Sequence, residues 1–221
     1  MPTMFTVTSM PLPRARRLLV ALIAVVALSL VPPPGAEGRA VPSVGDGGDS
    51  LAGRLVVATE RMGDPRFRNT VIYMVEHNAD GAMGLIVNRP FGVMPLARLL
   101  ERLGLEPPEV AGEIEVYYGG PVEPERGFLL HSAEVVVEGS ILVGEGVAMT
   151  AETEMLHRIA RGEGPERKLF TFGYSGWGPR QLESEFARDD WFVIPADPSL
   201  IFAVDPARSW ERAAARRSLD L

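Results

Sequence analysis

Short runs of β-branched and apolar residues, separated by turn-forming residues, dominate the chain after residue 50. They predict eight strands: Leu55–Thr59, Val71–Glu76, Gly84–Asn88, Glu113–Tyr118, Phe128–His131, Ile141–Val143, Lys168–Tyr174 and Trp191–Ile194. Gly63–Pro65 and Asn78–Gly81 are turn sequences between the first three strands, and Arg89–Pro90 ends the third. The pattern therefore predicts short strands joined by ordered loops.

Helical periodicity interrupts these strands. Leu96, Leu99, Leu100 and Leu103 share one helix face, and Gly104 ends that helix. Further helices are predicted from Thr150 to about Arg161, from Pro179 onward and over Ser209–Arg217. Since strands and helices follow no strict βαβ rhythm, we expect an α+β fold. It should be a single compact domain over residues 51–221, with a mixed β-sheet and helices packed on it.

The first forty residues have a different pattern. Arg14, Arg16 and Arg17 precede an apolar run from Leu18 to Val31, followed by helix-breaking prolines and small residues up to Ala40. This layout is typical of a secretory signal, and the run is shorter than the roughly 20 residues that span a membrane. Three alternatives remain: cleaved export, an uncleaved anchor or a misassigned start codon. Residues 41–50, rich in Gly, Ser and Asp, predict a flexible linker.

Charge and composition narrow the function classes. The formal net charge is −7, and residues 1–40 carry four arginines against one glutamate, so the remaining chain carries −10. An acidic domain is repelled by nucleic-acid phosphates, so direct DNA binding is disfavoured. Cysteine is absent, which excludes disulfides and thiolate chemistry.

The candidates for catalysis each lack a partner. Ser175 lies in a Gly-Tyr-Ser-Gly-Trp-Gly run where a strand passes into a helix, which is the position of a hydrolase nucleophile. Trp177 replaces the last glycine of that pattern, and all three histidines precede the serine, so a tight turn anchored by Trp177 is favoured. His77 could act as an acid, a base or a ligand, but capping of its turn is the favoured interpretation. His131 is expected to be a satisfied residue at the core edge.

No cofactor or metal is predicted. Glu154 and His157 form a single Glu-x-x-His pair, whereas di-metal bundles need two pairs. Gly119 and Gly120 would let a backbone approach a ligand closely, but no phosphate-binding loop motif is present and Lys168 is the sole lysine.

Arginines supply two surface candidates. Asp64, Arg66, Arg68 and Arg89 either pair with one another, which is favoured, or present guanidinium groups to an anionic ligand or a partner carboxylate. Arg208, Arg212 and Arg216 form a stripe that predicts a solvated helix face, with a nucleic-acid or membrane contact as the alternative.

Five ordered motifs resemble the YqgE/AlgH family of bacterial proteins: Leu51–Leu55, Arg61–Phe67, Glu76–Pro90, Tyr117–Val122 and Gly173–Gly178. The resemblance covers residues 51–213. It implies a compact mixed α/β fold with a pocket, and some members carry a transcriptional-regulator label. Family members are typically cytoplasmic and start near the position of Leu51, which conflicts with the signal-like segment.

Matched positions give the expected binding residues of that pocket: Asp64, Arg66, His77, Asn78, Asn88, Arg89, Tyr118, Gly119, Gly120 and Trp177. Gly63, Pro65, Gly173 and Gly178 also match, although backbone geometry alone can require a glycine or a proline. The leading hypothesis is a non-enzymatic protein that binds a small molecule or a protein partner, with the membrane touched only through an uncleaved N-terminal segment. A direct transcriptional regulator is the alternative, and a hydrolase is the less favoured third.

Overall fold

The computed structural model describes residues 50–105 and 112–217, together with the backbone of Ser43–Val44. The signal-like segment of residues 1–40 and residues 41–42 and 45–49 of the predicted linker lie outside this range. Ser43–Val44 pairs in parallel with Leu142–Val143.

Eleven strands and five α-helices occur in the described part of the chain. The strands are β1 (Ser43–Val44), β2 (Arg54–Ala58), β3 (Val71–Asn78), β4 (Gly81–Ile86), β5 (Pro90–Pro95), β6 (Glu113–Tyr118), β7 (Val122–Ser132), β8 (Ile141–Val143), β9 (Val147–Thr150), β10 (Lys168–Trp177) and β11 (Trp191–Pro195). The helices are α1 (Leu96–Arg102), α2 (Thr153–Ala160), α3 (Gln181–Ala187), α4 (Pro198–Ile201) and α5 (Ser209–Arg217), with a 3₁₀ turn at Pro206–Arg208.

Strand β10 joins three groups of strands into one curled sheet. Along one side it pairs antiparallel with β7, which continues through β9 to β8 and β1. Along the other side its first half pairs in parallel with β6, and its last residues, Ser175–Trp177, pair antiparallel with β4. The β6 branch ends at β5, and the β4 branch continues through β3 and β2 to β11. The predicted mixed α+β sheet is confirmed.

Three apolar clusters cover the faces of this sheet. The central cluster packs side chains such as Tyr73, Phe128 and Leu130 against α4 and α5. A second places α1 and α2 on strands β6, β7 and β10. The third covers β2, β3 and β4 with α3 and the β2–β3 loop. Burial of these apolar surfaces is the main favourable contribution to folding.

Most predicted elements are confirmed, and the differences have identifiable causes. The helix predicted from Thr150 begins at Thr153, because Val147–Thr150 forms the fully buried strand β9 against β7. The prediction that Arg89–Pro90 ends a strand missed β5, which starts at Pro90. Proline is tolerated there because β5 is an edge strand, where a missing N–H costs no sheet hydrogen bond. The four-residue helix α4 was also missed.

Candidate functional site

The glycines at the crossing of β6 and β10 are required by backbone contact. A β-carbon on Gly119 would lie 2.2 Å from the carbonyl oxygen of Gly173, and one on Gly120 would lie 2.2 Å from the carbonyl carbon of Tyr174. Gly120 and Gly173 also have positive φ angles of 151° and 72°, which favour glycine. Close packing of two strands therefore accounts for the Gly119–Gly120 motif without a ligand.

Ser175 lies inside this crossing and not at a surface. Its side chain is fully buried, and its hydroxyl donates to the carbonyl oxygen of Gly119 over 3.3 Å. The serine sits within β10, paired with Gly84 of β4, and the tight turn predicted around it is wrong because the strand continues to Trp177. A hydroxyl in this position holds two strands together.

Trp177 anchors α3, as the sequence predicted. Its indole N–H donates to Glu185 Oε2 at 2.9 Å, and the indole of Trp191 donates to the same oxygen at 2.8 Å. Phe67 stacks on the Trp177 ring with centroids 6.5 Å apart. With only 7% of its surface exposed, Trp177 belongs to a packed aromatic cluster.

His77 connects distant segments instead of capping its turn. Its Nδ1 accepts the backbone N–H of Leu51 at 3.2 Å, so its Nε2 carries the proton and donates to Glu183 Oε1 at 3.1 Å. Asn78 caps the turn instead, since its Oδ1 accepts the N–H of Asp80 at 2.8 Å. Together these two residues fix the end of the β3–β4 hairpin.

The loop between β2 and β3 is held by its own charges and by Asn88. Arg66 donates to both carboxylate oxygens of Asp64, and this pairing holds the pKa of the Asp64 carboxyl below its usual range. The Asn88 amide accepts the N–H of Val71 at 2.8 Å and donates to the carbonyl of Asn69, also at 2.8 Å.

Arg89 completes the fixing of this loop. Its guanidinium donates to the carbonyl oxygen of Arg68 at 2.6 Å. The favoured expectation was that Asp64 and these loop arginines pair with one another. The structure shows an ion pair for Asp64 and Arg66 and a backbone contact for Arg89.

Tyr118 borders a surface that the sequence analysis missed. Its ring meets Phe91 of β5 edge to face, with centroids 6.1 Å apart, and its backbone N–H donates to the carbonyl oxygen of Arg89 at 2.9 Å. Phe91 is 67% exposed, and Val93, two residues further along β5, is 59% exposed. The alternation of Phe91 and Val93 between two prolines was the available signal. Pro90 obscured it by indicating a strand end.

The free edge of β5 adjoins α1 across an open groove of about 620 Å³. Six residues line the groove: Val93, Met94, Pro95, Arg98, Glu101 and Arg102. Among the residues that the structure describes, β5 pairs only with β6. We call the exposed side of β5 together with this groove the β5 edge.

The structure places the ten expected binding residues in three groups, and none of them lines the groove beside β5. Asp64, Arg66, Asn88, Arg89 and Tyr118 lie together around the β2–β3 loop, Gly119, Gly120 and Trp177 follow the path of β10, and His77 and Asn78 sit at the far end of β3. His77 is six residues from Val71 along that strand, a separation of about 20 Å at about 3.3 Å per residue. The first group borders the β5 edge through the Tyr118–Phe91 contact.

Among the remaining candidates, His131 is fully buried. Its Nδ1 lies 2.9 Å from the carbonyl oxygen of Ser132, but its Nε2 has no hydrogen-bond partner among the described residues, so the prediction of a satisfied residue at the core edge is wrong. Glu154 forms ion pairs with Arg158 and Arg161, and the described residues contain no cluster of His, Asp and Glu arranged to hold a metal ion. Residues 50–105 and 112–217 also contain no helix long and apolar enough to cross a bilayer.

The predicted basic stripe of α5 is only partly solvated. Arg216 pairs with Asp197, and Arg212 donates to Ser199. Both contacts tie α5 to α4. Arg208 is exposed and pairs with Glu211.

Comparison with known proteins agrees with the fold. A model of a family described as AlgH-like matches residues 55–221. A UPF0301 protein of Methylococcus capsulatus is 43% identical over 180 residues, covering 81% of this chain and 98% of the relative. The UPF0301 protein AlgH of Pseudomonas aeruginosa is 42% identical over 173 residues, covering 77% of this chain and 90% of the relative.

Solved structures show the same relationship. The solution structure of AlgH from Pseudomonas aeruginosa superposes with a TM-score of 0.67 at 40% identity, covering 79% of this chain and 92% of that one. A crystal structure of a Corynebacterium diphtheriae protein gives a TM-score of 0.60 at 19% identity, covering 82% and 90%. The second likeness shows a shared fold alone.

Proposed function

This chain belongs to the AlgH-like family, and from that premise we propose that it is a non-enzymatic protein that binds a protein partner along the β5 edge. Family membership supplies the fold and no reaction. The surface of the described residues therefore carries the argument for function.

The exposed apolar side chains of β5 are the observation that carries this proposal. Among the described residues, three large hydrophobic side chains are strongly exposed: Phe91, Val93 and Val204. Two of the three lie on one edge strand, beside a groove. An edge strand with exposed apolar residues is a ready template for pairing with another chain, and proteins use such edges to bind extended segments.

Contacts elsewhere support a binding role over a catalytic one. The best sequence candidate for a nucleophile, Ser175, is buried and donates to a backbone carbonyl. His77 uses both ring nitrogens to hold Leu51 and Glu183. Neither residue lines the groove beside β5.

Site-specific photocrosslinking tests this proposal. A benzophenone amino acid at position 91 of the full chain, expressed from its own gene, should crosslink to a discrete partner. The same group at position 204 is the matched control, because Val204 is fully exposed but lies outside the β5 edge. Equal crosslinking from both positions, or none from position 91, would reject the proposal.

We also propose, from the signal-like segment, that this partner lies outside the cytoplasm. Intact mass and cell fractionation of the native protein check this. A periplasmic form beginning near Val41 is expected. A cytoplasmic form beginning near Leu51 would reject this second proposal and favour the alternative of an intracellular regulator. The proposal of partner binding at the β5 edge would not be affected.

A further inference from the structure

We propose that the β5 edge takes a short extended peptide segment whose acidic side chains alternate with apolar ones. This inference rests on the proposed function and adds the chemistry of the occupant. It follows from the backbone pattern of β5, from the two faces of that strand and from the charges along α1.

The backbone pattern fixes where a segment can pair. Leu96 N–H donates to the carbonyl of Gly112, and the register continues from there to Gly92 opposite Val116. Because hydrogen-bonded and non-bonded pairs alternate in an antiparallel ladder, Gly92 and Met94 bond to β6. Val93 therefore turns its N–H and its carbonyl toward the free edge.

Two prolines limit the length of the segment. Pro95, like Val93, faces outward but has no N–H, and Pro90 lacks an N–H at the other end of the strand. A β-bulge between Pro90 and Gly92 also interrupts the register. A continuous ladder is thus confined to about four residues, Phe91–Met94, which suits a short peptide and not a long strand.

The two faces of β5 have different neighbours, and this determines which side chains of an added strand should be acidic and which apolar. Met94 packs toward α1 within the second apolar cluster, so Val93 points to the opposite face. Alternate side chains of an added strand would likewise point toward α1 or toward the Val93 face. On the Val93 face the neighbouring residue of β6 is the exposed Glu115, which favours an apolar side chain over an acidic one.

The α1 side carries the charge that selects acidic residues. Arg98 and Arg102 are exposed, line the groove and form no ion pair with another described residue. The Arg102 guanidinium lies over the Phe172 ring at 4.7 Å, a contact that leaves its charge unneutralised. Glu101 is the one acidic residue among the groove lining. Two guanidinium groups that pair with no carboxylate of the described residues, on an otherwise acidic domain, favour carboxylates in the part of the segment that faces α1.

Two matched peptides test the inference by fluorescence anisotropy with the full chain. The acidic probe is Thr-Glu-Val-Glu-Val-Thr and the control is Thr-Lys-Val-Lys-Val-Thr, each labelled with fluorescein. With two exposed charge pairs available, we expect the acidic probe to bind about tenfold more tightly at low salt and to lose most of that advantage at 1 M salt.

Variants assign the binding to this edge. Arg98→Glu combined with Arg102→Glu should reverse the preference, whereas Arg208→Glu combined with Arg212→Glu, with the same change in net charge, should retain it. Val93→Pro removes the outward N–H and should abolish binding, while Val93→Thr keeps the backbone and should bind. Circular dichroism confirms that each variant is folded.

The outcomes separate this inference from the proposed function. Equal or tighter binding of the lysine probe, still abolished by Val93→Pro, would overturn the acidic segment and leave partner binding at β5 intact. No binding of either probe would also overturn the inference. The proposed function would then be tested separately, by crosslinking from position 91. A dimer that Val93→Pro dissociates would show that the occupant is a second copy, which overturns the inference as well.

Discussion

Gly119→Ala tests whether backbone contact requires glycine where β6 meets β10. A β-carbon at residue 119 would lie 2.2 Å from the Gly173 carbonyl oxygen and 2.9 Å from the β-carbon of Thr171. Since nonbonded carbon atoms keep about 3.5 Å from their neighbours, the two strands would have to separate locally by about 1 Å. No side-chain rotation can relieve this contact, because the opposing atoms include backbone.

The separation weakens three hydrogen bonds that residue 119 makes. Its N–H donates to Phe172 at 2.9 Å, and its carbonyl accepts from Ile86 N at 3.0 Å and from Ser175 Oγ at 3.3 Å. At about 0.5–1.5 kcal/mol each, loss of all three lowers the free energy of unfolding by about 3 kcal/mol. In a chain of this size that corresponds to a fall in Tm of roughly 6–12 °C.

Thermal unfolding followed by circular dichroism measures this effect. Gly63→Ala is the matched control, because a β-carbon there would meet nothing within 4 Å, and its unfolding free energy should stay within about 0.5 kcal/mol of the wild type. A Gly119→Ala protein that melts within about 2 °C of the wild type would refute the argument from backbone contact. The Gly119–Gly120 motif would then need another explanation, with ligand approach the first candidate.

Three further predictions concern buried and paired polar groups. Burial lowers the pKa of His131, so the stability that its neutral ring contributes is lost as pH falls below about 6.5. The unfolding free energy of His131→Leu, measured with urea, should therefore fall less between pH 7.5 and pH 5.5 than that of the wild type. The Glu166 backbone N–H lowers the pKa of Glu134, so the stability that this carboxylate contributes is lost as pH falls below about 4.5, and Glu134→Gln should make the unfolding free energy depend less on pH there; a pH dependence equal to that of the wild type would contradict the hydrogen bond. Trp177→Phe removes one of two indole donors to Glu185 and should cost about 1–2 kcal/mol in urea unfolding; an unchanged midpoint would contradict the hydrogen bond.

Local pattern predicted most strands, because β-branched runs and turn residues act over a few neighbouring positions. Strand β5 was missed since proline normally ends a strand, and only tertiary placement at an edge makes Pro90 and Pro95 acceptable. Strand β9 was missed because Thr150 also resembles a helix start, and pairing with β7 decided between the two.

The site was less predictable, because its contacts join residues far apart in sequence. The sequence marked Gly119 and Gly120 as special but could not show that β10, more than fifty residues later, passes against them. Likewise, the partner of His77 is Glu183, 106 residues away. A motif records that a residue type is required, whereas the reason depends on which strand becomes its neighbour.

The position of β10 as the shared strand has a consequence for the order of folding. Three groups of strands, which contact β10 through β4, β6 and β7, can join into one sheet only after residues 168–177 have been made. Contacts that close such long loops form late and slowly. A chain emerging from the ribosome therefore cannot join its three groups of strands until about four fifths of it has been made, and until then the edges of β4, β6 and β7 lack the strand that they share.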